Sequence, residues 1–314
     1  MSKKHFLVTG GAGFIGRYLC SLLVEQGDHV RVLDDFSTGT REKFPQNVEV
    51  VEGNAGDPDT VDLALAGIEG VFHMAAIPSV IVSENDPLLN QRSGEIALLT
   101  ILSRSLATST VKRIVFASSA AVYGNTSTLP IDEESPVSPI SNYGVSKLAG
   151  ENYLRAACAR QTSLDAVCLR FFNVYGLGQS SNSSYAGVIT KYLDCIRRKK
   201  TPTITGDGEQ TRDFIWVGDV AQACVRAMAS PVRFAGRPIN IASGIPISVN
   251  MVWDTICATT KTDFQPVTTA VSKCEIKHSL AAVDLAKSLL DFKSHTAFKD
   301  GISKLIKSKP ETKL

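Results

Sequence analysis

Long apolar runs are missing from this sequence. The first apolar run ends at Thr9, and no run approaches the ~18 apolar residues that a membrane helix needs. The first run is also too short for the apolar core of a secretory signal peptide. We therefore expect a protein that works in the cytoplasm, with no secretory leader and no membrane partner.

An excess of charge of one sign is missing as well. The chain has 33 Lys and Arg against 31 Asp and Glu, which leaves a formal net charge of +2. Such a balance gives no long-range field that would attract a polyanion, so nucleic acid is not expected as a partner. The one basic run, Arg197 to Lys200, is more typical of a solvated helix end than of a phosphate-binding patch.

The cysteines show no pairing pattern. They are odd in number, scattered, and never spaced as CxxC, which argues against a zinc site and against a disulfide framework. We predict buried free thiols in a reducing compartment, and no metal. The seven positions are Cys20, Cys158, Cys168, Cys195, Cys224, Cys257 and Cys274.

The first half of the chain alternates short β-branched runs with helical patterns. Such alternation predicts parallel βαβ units and therefore an α/β fold with a doubly wound parallel sheet, whose ligands bind at the carboxyl ends of the strands. Helices are predicted at Phe14–Gln26, at about Tyr143–Arg160 and near Gly187–Arg198. The predicted strands are Phe6–Thr9, Val30–Asp34, Val48–Glu52, Gly70–His73, Arg113–Ser118 and Leu164–Phe172.

Three glycines lie between the first predicted strand and the first predicted helix. Gly10, Gly13 and Gly16 form a GxxGxxG pattern, and Phe14 and Ile15 open the helix. Glycine permits the tight turn, and its missing Cβ lets the backbone approach a pyrophosphate at the helix N-terminus. An ordinary strand–helix turn is the alternative, but the strand before and the helix after favour a Rossmann-type dinucleotide site.

Asp34 ends the second predicted strand. A carboxylate at that position accepts hydrogen bonds from the adenosine ribose and repels a 2′-phosphate, which favours NAD over NADP. Asp35 makes the register ambiguous, and a plain turn Asp is the alternative. Arg41, beyond the turn, would suit NADP, but the acidic pair argues against that role.

Tyr143 and Lys147 form a YxxxK pattern. Residues four apart share one face of a helix, so the Lys ammonium can stabilise the Tyr phenolate and lower its pKa towards that of a usable base. The pattern alone is common on helices. It gains weight from Ser119, at the carboxyl end of the fifth predicted strand, whose hydroxyl can bond the oxygen that loses or gains a proton.

Five segments in this order resemble the extended short-chain dehydrogenases/reductases, and most of all their UDP-glucose 4-epimerase branch. They are TGGAGFIG, SSAAVYG, YGVSK, RFFNVYG and GDGEQTRDF. The resemblance covers nearly the whole chain and weakens after about Ser243. It implies an NAD-dependent enzyme that acts on a UDP-sugar substrate.

The resemblance also implies a role for individual residues. Ser119, Tyr143 and Lys147 would be catalytic, whereas His73 is more typical of packing at a strand end. The residues placed against NAD are Gly10, Gly13, Phe14, Ile15, Gly16, Asp34, Asn54, Ala55, Ala75, Ala76, Tyr143, Lys147 and Phe171. The residues placed against the sugar nucleotide are Ser119, Asn173, Arg212, Lys273, Lys277 and Ser279.

The reaction is predicted from residues that are missing. Dehydratases of this family carry an acidic pair just after the catalytic hydroxyl, and decarboxylases carry a Glu nearby, whereas this chain has Ala120 and Ala121. Without an acid there, elimination lacks its general acid and base, so 4-epimerisation through a 4-keto sugar is the simplest chemistry left. A dehydratase, a ketoreductase and a non-catalytic NAD-binding protein remain alternatives.

Several positions depart from the family pattern. Asn54 replaces the usual Asp beside adenine, and Gly94 and Ala97 replace an Asn-x-x-Gly. The late Arg-Pro-Gly-Asp that grips the diphosphate aligns with Ser272 to Glu275, so Lys273 or Lys277 would supply the charge as a point cation rather than a planar fork. Ser279 would then leave room for a 2-acetamido group.

A smaller α/β lobe is predicted from the change of pattern after Asn173. We predict an NAD-binding Rossmann domain over 1–173, to which 214–243 returns, and a C-terminal sugar-nucleotide lobe made of 174–213 and 244–314. The family resemblance implies a homodimer, with Leu148, Tyr153 and Leu154 on the helix after Tyr143 as candidates for its interface; core packing explains them equally well.

Overall fold

The computed structural model describes residues 3–41, 44, 47–77, 79–179, 187–270 and 276–308. Its strands are β1 His5–Thr9, β2 His29–Asp34, β3 Val48–Glu52, β4 Gly70–His73, β5 Arg113–Ser119, β6 Asp165–Phe171, β7 Asn173–Tyr175, β8 Thr203–Thr205, β9 Thr211–Trp216, β10 Arg237–Ile241, β11 Pro246–Ser248 and β12 Val267–Thr269.

Its helices are α1 Phe14–Glu25, α2 Pro58–Leu65, α3 Val80–Asn85, α4 Pro87–Gln91, α5 Ala97–Thr108, α6 Asn142–Arg160, α7 Val188–Arg197, α8 Val217–Ala229, α9 Val249–Thr260, α10 Asp284–Leu290 and α11 Phe298–Lys307. A π-helical turn, Arg92–Ile96, joins α4 to α5, and a 3-10 turn, Ala120–Val122, follows β5. No helix in the described part of the chain is long and apolar enough to cross a membrane.

The central sheet has seven strands in the order β10-β6-β5-β4-β1-β2-β3, and every neighbouring pair is parallel. Every residue of β6 is buried, as expected for a strand covered on both faces. The predicted doubly wound parallel sheet is confirmed. All six predicted strands are present, with ends that differ by at most one residue.

Helices cover both faces of the sheet because each presents an apolar stripe. On α1 that stripe is Gly16, Leu19, Cys20 and Leu23, at the spacing of one helix face. One face packs on α1, α8 and α10. The opposite face packs on α2, α5 and α6. Both cores lie below the carboxyl ends of the strands, which leaves those ends free to line a cleft.

A third apolar core is formed by segments that follow β6 in the chain. Tyr192 of α7 packs edge-to-face on Trp253 of α9, and α11 adds its own buried face. Two small sheets, β11-β9-β7 and β12-β8, belong to this part. These short strands were not predicted individually from the sequence. The predicted domain boundaries stay a prediction; α10, which they assign to the lobe, packs on the central sheet.

Candidate active site

A cleft of about 2140 Å³ runs along the carboxyl ends of the central strands and reaches the third core. It collects nearly all of the residues that the sequence analysis selected. Those that line it are Gly10, Gly13, Phe14, Ile15, Gly16, Asp34, Asn54, Ala55, Ala75, Ala76, Ser119, Tyr143, Lys147, Phe171, Asn173 and Arg212.

The glycine loop is shaped by close backbone approach. Gly10 has a φ of +67°, and a Cβ there would lie 2.7 Å from the backbone nitrogen of Ala75. A Cβ on Gly16 would lie 2.2 Å from the carbonyl oxygen of Gly10. No described side chain caps the amino end of α1, which begins after Gly13. The uncapped helix end therefore faces the cleft, where its N–H groups and its dipole suit an anion.

Asp34 joins the glycine loop to the turn after β2. Its two carboxylate oxygens accept hydrogen bonds from the backbone N–H of Ala12 and of Phe36, each at 2.8 Å. Burial raises the pKa of this carboxyl, and these two bonds act in the opposite direction. Arg41 forms an ion pair with Glu52. Its guanidinium also lies 4.5 Å from the centroid of the Phe36 ring.

Helix α6 brings the catalytic candidates together. The Ser141 hydroxyl caps the helix by accepting a hydrogen bond from the Gly144 N–H at 3.1 Å, which fixes where the first turn starts. Tyr143 and Lys147 then follow one turn apart, with the Lys147 Nζ 5.7 Å from the centroid of the Tyr143 ring. Ser119, at the end of β5, lies close enough to the Tyr143 hydroxyl to lower the pKa of that phenol.

The protein's own groups do not make Tyr143 a base near neutrality. Burial raises the pKa of Tyr143 to about 12, although Ser119 acts in the opposite direction. Burial also lowers the pKa of Lys147 to about 8. The expected lowering of the phenol's pKa by the Lys147 ammonium is not found in the chain without its cofactor, where burial is the largest influence on both groups.

His73 is a buried neighbour of this group. Its Nδ1 lies 2.8 Å from the Thr9 hydroxyl, and its ring stacks on Phe116 at 5.9 Å between centroids. Burial, and to a smaller degree the charge of Lys147, lower the pKa of His73 to about 3. A neutral, enclosed imidazole at a strand end agrees with the packing role that the sequence analysis preferred.

The sugar-nucleotide candidates do not all meet at the cleft. Arg212 lines it, and its Nη1 donates to the carbonyl oxygen of Thr211 at 2.9 Å. Lys277 instead lines a separate pocket of about 340 Å³ beside the loop at Asn125–Ser127, and Ser279 lines neither cavity. Backbone hydrogen bonds hold both residues beside Thr211. Lys273 falls outside the described residues.

The cleft also contains residues that the sequence analysis missed. Ser37, Thr38 and Gly39 line it beside Asp34, and Arg92 and Ser93 reach it from the π-helical turn. On the far side it is lined by residues of α7, β8 and the start of β9, including Lys191, Arg197, Thr203, Thr205 and Gln210. Among these, only Ser37, Thr38 and Gly39 carried a usable signal, a run of small residues that begins two positions after Asp35.

Comparisons with known proteins identify the family of this chain. The model of a family described as the NAD dependent epimerase/dehydratase family matches residues 6–242. A putative UDP-glucose 4-epimerase from Methanocaldococcus jannaschii is 37% identical over 252 residues, which cover 80% of each chain.

Two solved structures are similar over almost the full length. The UDP-N-acetylglucosamine 4-epimerase of Methanobrevibacter ruminantium M1, in complex with UDP-N-acetylmuramic acid, has a TM-score of 0.91 and 32% identity, and the match covers 98% of both chains. The UDP-glucose 4-epimerase of Thermotoga maritima, with UDP-glucose, has a TM-score of 0.90 and 31% identity, and the match covers 96% of both.

Proposed function

The chain belongs to the NAD dependent epimerase/dehydratase family, and we propose that it is a 4-epimerase of a UDP-hexose. The proposal rests on one observation: which side chains are present in one part of the cleft, and which are missing there. Ser119, Tyr143 and Lys147 meet there, while the turn directly after Ser119 offers only Ala120 and Ala121. The site can move a proton at a hydroxyl, but it lacks the acids that elimination needs.

The described residues fit NAD. The uncapped end of α1 and the missing Cβ atoms of Gly10 and Gly16 suit its pyrophosphate, and Asp34 suits the adenosine ribose. Arg41 is held by Glu52 and Phe36, which agrees with NAD rather than NADP. We place this role on residues 1–173 and 214–243, and the sugar nucleotide on 174–213 and 244–314.

When bound, NAD supplies reversible hydride exchange at C4 of the sugar. Tyr143 accepts the proton of the 4-hydroxyl and later returns it. We propose that Ser119 hydrogen-bonds the same oxygen, and that the Lys147 ammonium, which lies 5.7 Å from the centroid of the Tyr143 ring, stabilises the phenolate in the complex with NAD. Between the two proton transfers the 4-keto sugar turns over, for which a cleft of about 2140 Å³ leaves room.

The substrate class follows from the relatives and from the sugar end of the cleft. Relatives named as epimerases act on UDP-glucose or UDP-N-acetylglucosamine. Arg212 and Asn173 line the cleft where a diphosphate would lie, and a guanidinium grips phosphate as a fork. We propose UDP-glucose/UDP-galactose or an N-acetyl or uronic form, with Arg212 supplying the positive charge at the diphosphate; Lys277 and Ser279 do not line this cleft, and no role at the substrate is proposed for them.

Product analysis tests the reaction. We expect the purified enzyme to interconvert one pair of C4 epimers among UDP-glucose, UDP-galactose and their N-acetyl and uronic forms, as followed by NMR. A 4-keto-6-deoxy or exoglycal product would establish a dehydratase instead. A net reduced sugar that requires added NADH would establish a ketoreductase.

A Tyr143→Phe variant tests the catalytic assignment. General acid–base catalysis contributes about 10² to 10⁴ in rate, so we expect a loss of that order while NAD affinity is retained. Undiminished turnover by Tyr143→Phe would remove Tyr143 from the mechanism. Tight NAD binding by the wild type, with no turnover of any sugar nucleotide, would favour a non-catalytic NAD-binding protein.

We also propose a homodimer formed through α5 and α6. Tyr153 is 40% exposed, and Leu99 and Val145 are exposed on the same helix pair. Leu154 is fully buried and Leu148 packs on the core below, so of the three residues predicted for the interface only Tyr153 faces outwards. Analytical ultracentrifugation tests this: Leu99→Glu should give monomers, and Ile245→Glu, at an exposed site elsewhere, should not.

A cytoplasmic location fits the thiols. Cys20, Cys158, Cys168, Cys195, Cys224 and Cys257 are all free, which suits a reducing compartment. Fractionation of the native cells, with detection of the untagged protein, tests this assignment.

A further inference from the structure

A buried ion pair lies directly beneath the candidate active site. Arg170 of β6 donates to both carboxylate oxygens of Glu151 on α6, with Nε–Oε1 at 2.9 Å and Nη2–Oε2 at 2.7 Å. Their side chains are 3% and 0% exposed. Removing two charges from water carries a large desolvation penalty, and hydrophobic residues often serve stability equally well. Stability alone is therefore a weak explanation for this pair.

A third side chain completes the group. The Ser118 hydroxyl donates to Glu151 Oε1 at 2.5 Å, so this carboxylate joins the end of β5, the end of β6 and the middle of α6. Each member adjoins a residue of the site. Ser118 precedes Ser119, Arg170 precedes Phe171, and Glu151 follows Lys147 by one helical turn.

The group also reaches the turn after Ser119. The Arg170 guanidinium lies 4.7 Å from the centroid of the Tyr123 ring, directly after the Ala120–Val122 turn. The Tyr123 hydroxyl in turn donates to Asn240 Oδ1 of β10 at 2.6 Å. Contacts with α6, β6 and β10 therefore hold the chain on both sides of Ser119, at Ser118 and at Tyr123.

The same two strands carry a second ion pair at their opposite ends. At the amino ends of β5 and β6, Arg113 Nη2 lies 2.9 Å from Asp165 Oδ2, with side chains 13% and 11% exposed. That pair joins the same strands and is largely buried, but it lies a full strand length from the cleft. A variant of this pair therefore serves as a control, because it should lower stability without disturbing the site.

We propose that Ser118, Glu151 and Arg170 are positioning residues, which hold the Ser119 hydroxyl in register with Tyr143 and Lys147. The proposal rests on the proposed function, because it assigns these residues to the same reaction. The carboxylate fixes the distance between the strand that carries Ser119 and the helix that carries the other two. Pre-organised placement of this kind governs turnover more than substrate affinity.

The test compares two variants at this group with two matched controls. Ser118→Ala removes one hydrogen bond and leaves the ion pair intact, and Glu151→Gln breaks the pair. Ser105→Ala removes another buried serine hydroxyl, one without a hydrogen-bond partner among the described residues. Asp165→Asn breaks the distant ion pair. All are assayed with saturating NAD, for kcat, for KM and for the denaturant midpoint.

We expect Ser118→Ala to lower kcat by roughly ten- to a hundredfold, the range that misplacement by about an ångström can cause, with KM changed by less than about twofold. Glu151→Gln should lower kcat at least as much. Asp165→Asn should lower the denaturant midpoint while its kcat stays within about twofold of the wild type. An unchanged kcat in Ser118→Ala, or an equal loss in Asp165→Asn, would overturn the proposal.

A substrate-independent measurement separates this proposal from the proposed function. The Tyr143 phenol can be titrated in the NAD-loaded protein by ultraviolet difference spectroscopy against Tyr143→Phe. We expect Ser118→Ala to move that titration to higher pH, because Ser119 then bonds the phenolate less well, and Ser105→Ala to leave it in place. If the wild type turns over no UDP-sugar, the proposed function fails, and this titration still decides the positioning role.

Discussion

The Lys147 ammonium lies 4.9 Å from the centroid of the Phe116 ring. A desolvated cation over an aromatic face gains about 2 kcal/mol. The ring has room at this position because of Gly150, where a Cβ would lie 2.7 Å from Phe116 Cζ. Phe116 of β5 thus supports the ammonium of Lys147, a catalytic candidate on α6.

Replacing Phe116 by Leu should affect Lys147 specifically. Loss of the ring face disfavours the cation, so the pKa of Lys147 should fall below its value of about 8. Carbon-13 NMR of lysine-labelled protein, with the signal assigned by Lys147→Arg, measures this shift. The matched control is Phe72→Leu, a buried ring on the opposite face of the sheet. The same shift in both variants would contradict a specific contact.

Alanine at two glycines of the cofactor loop should have unequal effects. A Cβ on Gly16 would lie 2.2 Å from the Gly10 carbonyl oxygen, whereas one on Gly13 meets that atom at 3.1 Å. Gly16→Ala should therefore displace the loop, cost about 1–3 kcal/mol and weaken NAD binding by more than tenfold. Gly13→Ala should be milder on both counts. Calorimetric NAD affinities and thermal midpoints check the order, and equal losses would refute it.

Asp34 and Asp35 can be separated by their hydrogen bonds. Both carboxylates line the cleft, but Asp34 accepts hydrogen bonds from the backbone N–H of Ala12 and Phe36, whereas Asp35 accepts from the backbone and hydroxyl of Ser37. Asp34→Asn should weaken NAD binding about tenfold and reduce discrimination against NADP, since the repelling charge is gone. Asp35→Asn should change either quantity much less. Titrations of both variants with both dinucleotides decide the register.

His73 should contribute to loss of stability in acid. Its pKa is lowered from 6.5 to about 3 in the folded chain, so the unfolded chain binds a proton between these values and the folded chain does not. Stability therefore falls as pH decreases from about 6.5 to about 3, by up to ~1.4 kcal/mol per pH unit from this group. Above pH 6.5 the group has no effect.

A His73→Asn variant checks that slope. Its denaturant midpoint at neutral pH should be lower, because the stack on Phe116 is lost, but its dependence on pH over the acidic range should be shallower than that of the wild type. Identical slopes would show that carboxylates alone account for acid unfolding.

The sequence predicted the residues that act through local spacing. The glycine loop, Asp34, and the Tyr143–Lys147 pair each depend on one strand–helix junction or one helical turn, and the structure places them all on the cleft. Six strands of the central sheet could be predicted equally well, because their apolar runs are bounded by turn residues.

Contacts between distant segments were not predictable in the same way. Nothing local in Glu151, Arg170 or Ser118 indicates that they meet, since that depends on the register of β5, β6 and α6. Lys277 is a residue for which the sequence suggested a contact that the structure does not make. Its alignment suggested a phosphate ligand, but the backbone pairing beside Thr211 places it at a different pocket. The short strands β7, β8, β11 and β12 depend on partners far away in the chain.

The central sheet is closed by a strand that is synthesised late. β10 pairs with β6, although β7, β8, β9, α7 and α8 lie between them in the chain. During translation β6 therefore leaves the ribosome with an unpaired apolar edge, which stays open until Ile241 has emerged. Exposed edges of this kind promote association between nascent chains. A fragment that stops at Asn173 should accordingly be recovered as aggregate, although it carries every catalytic candidate.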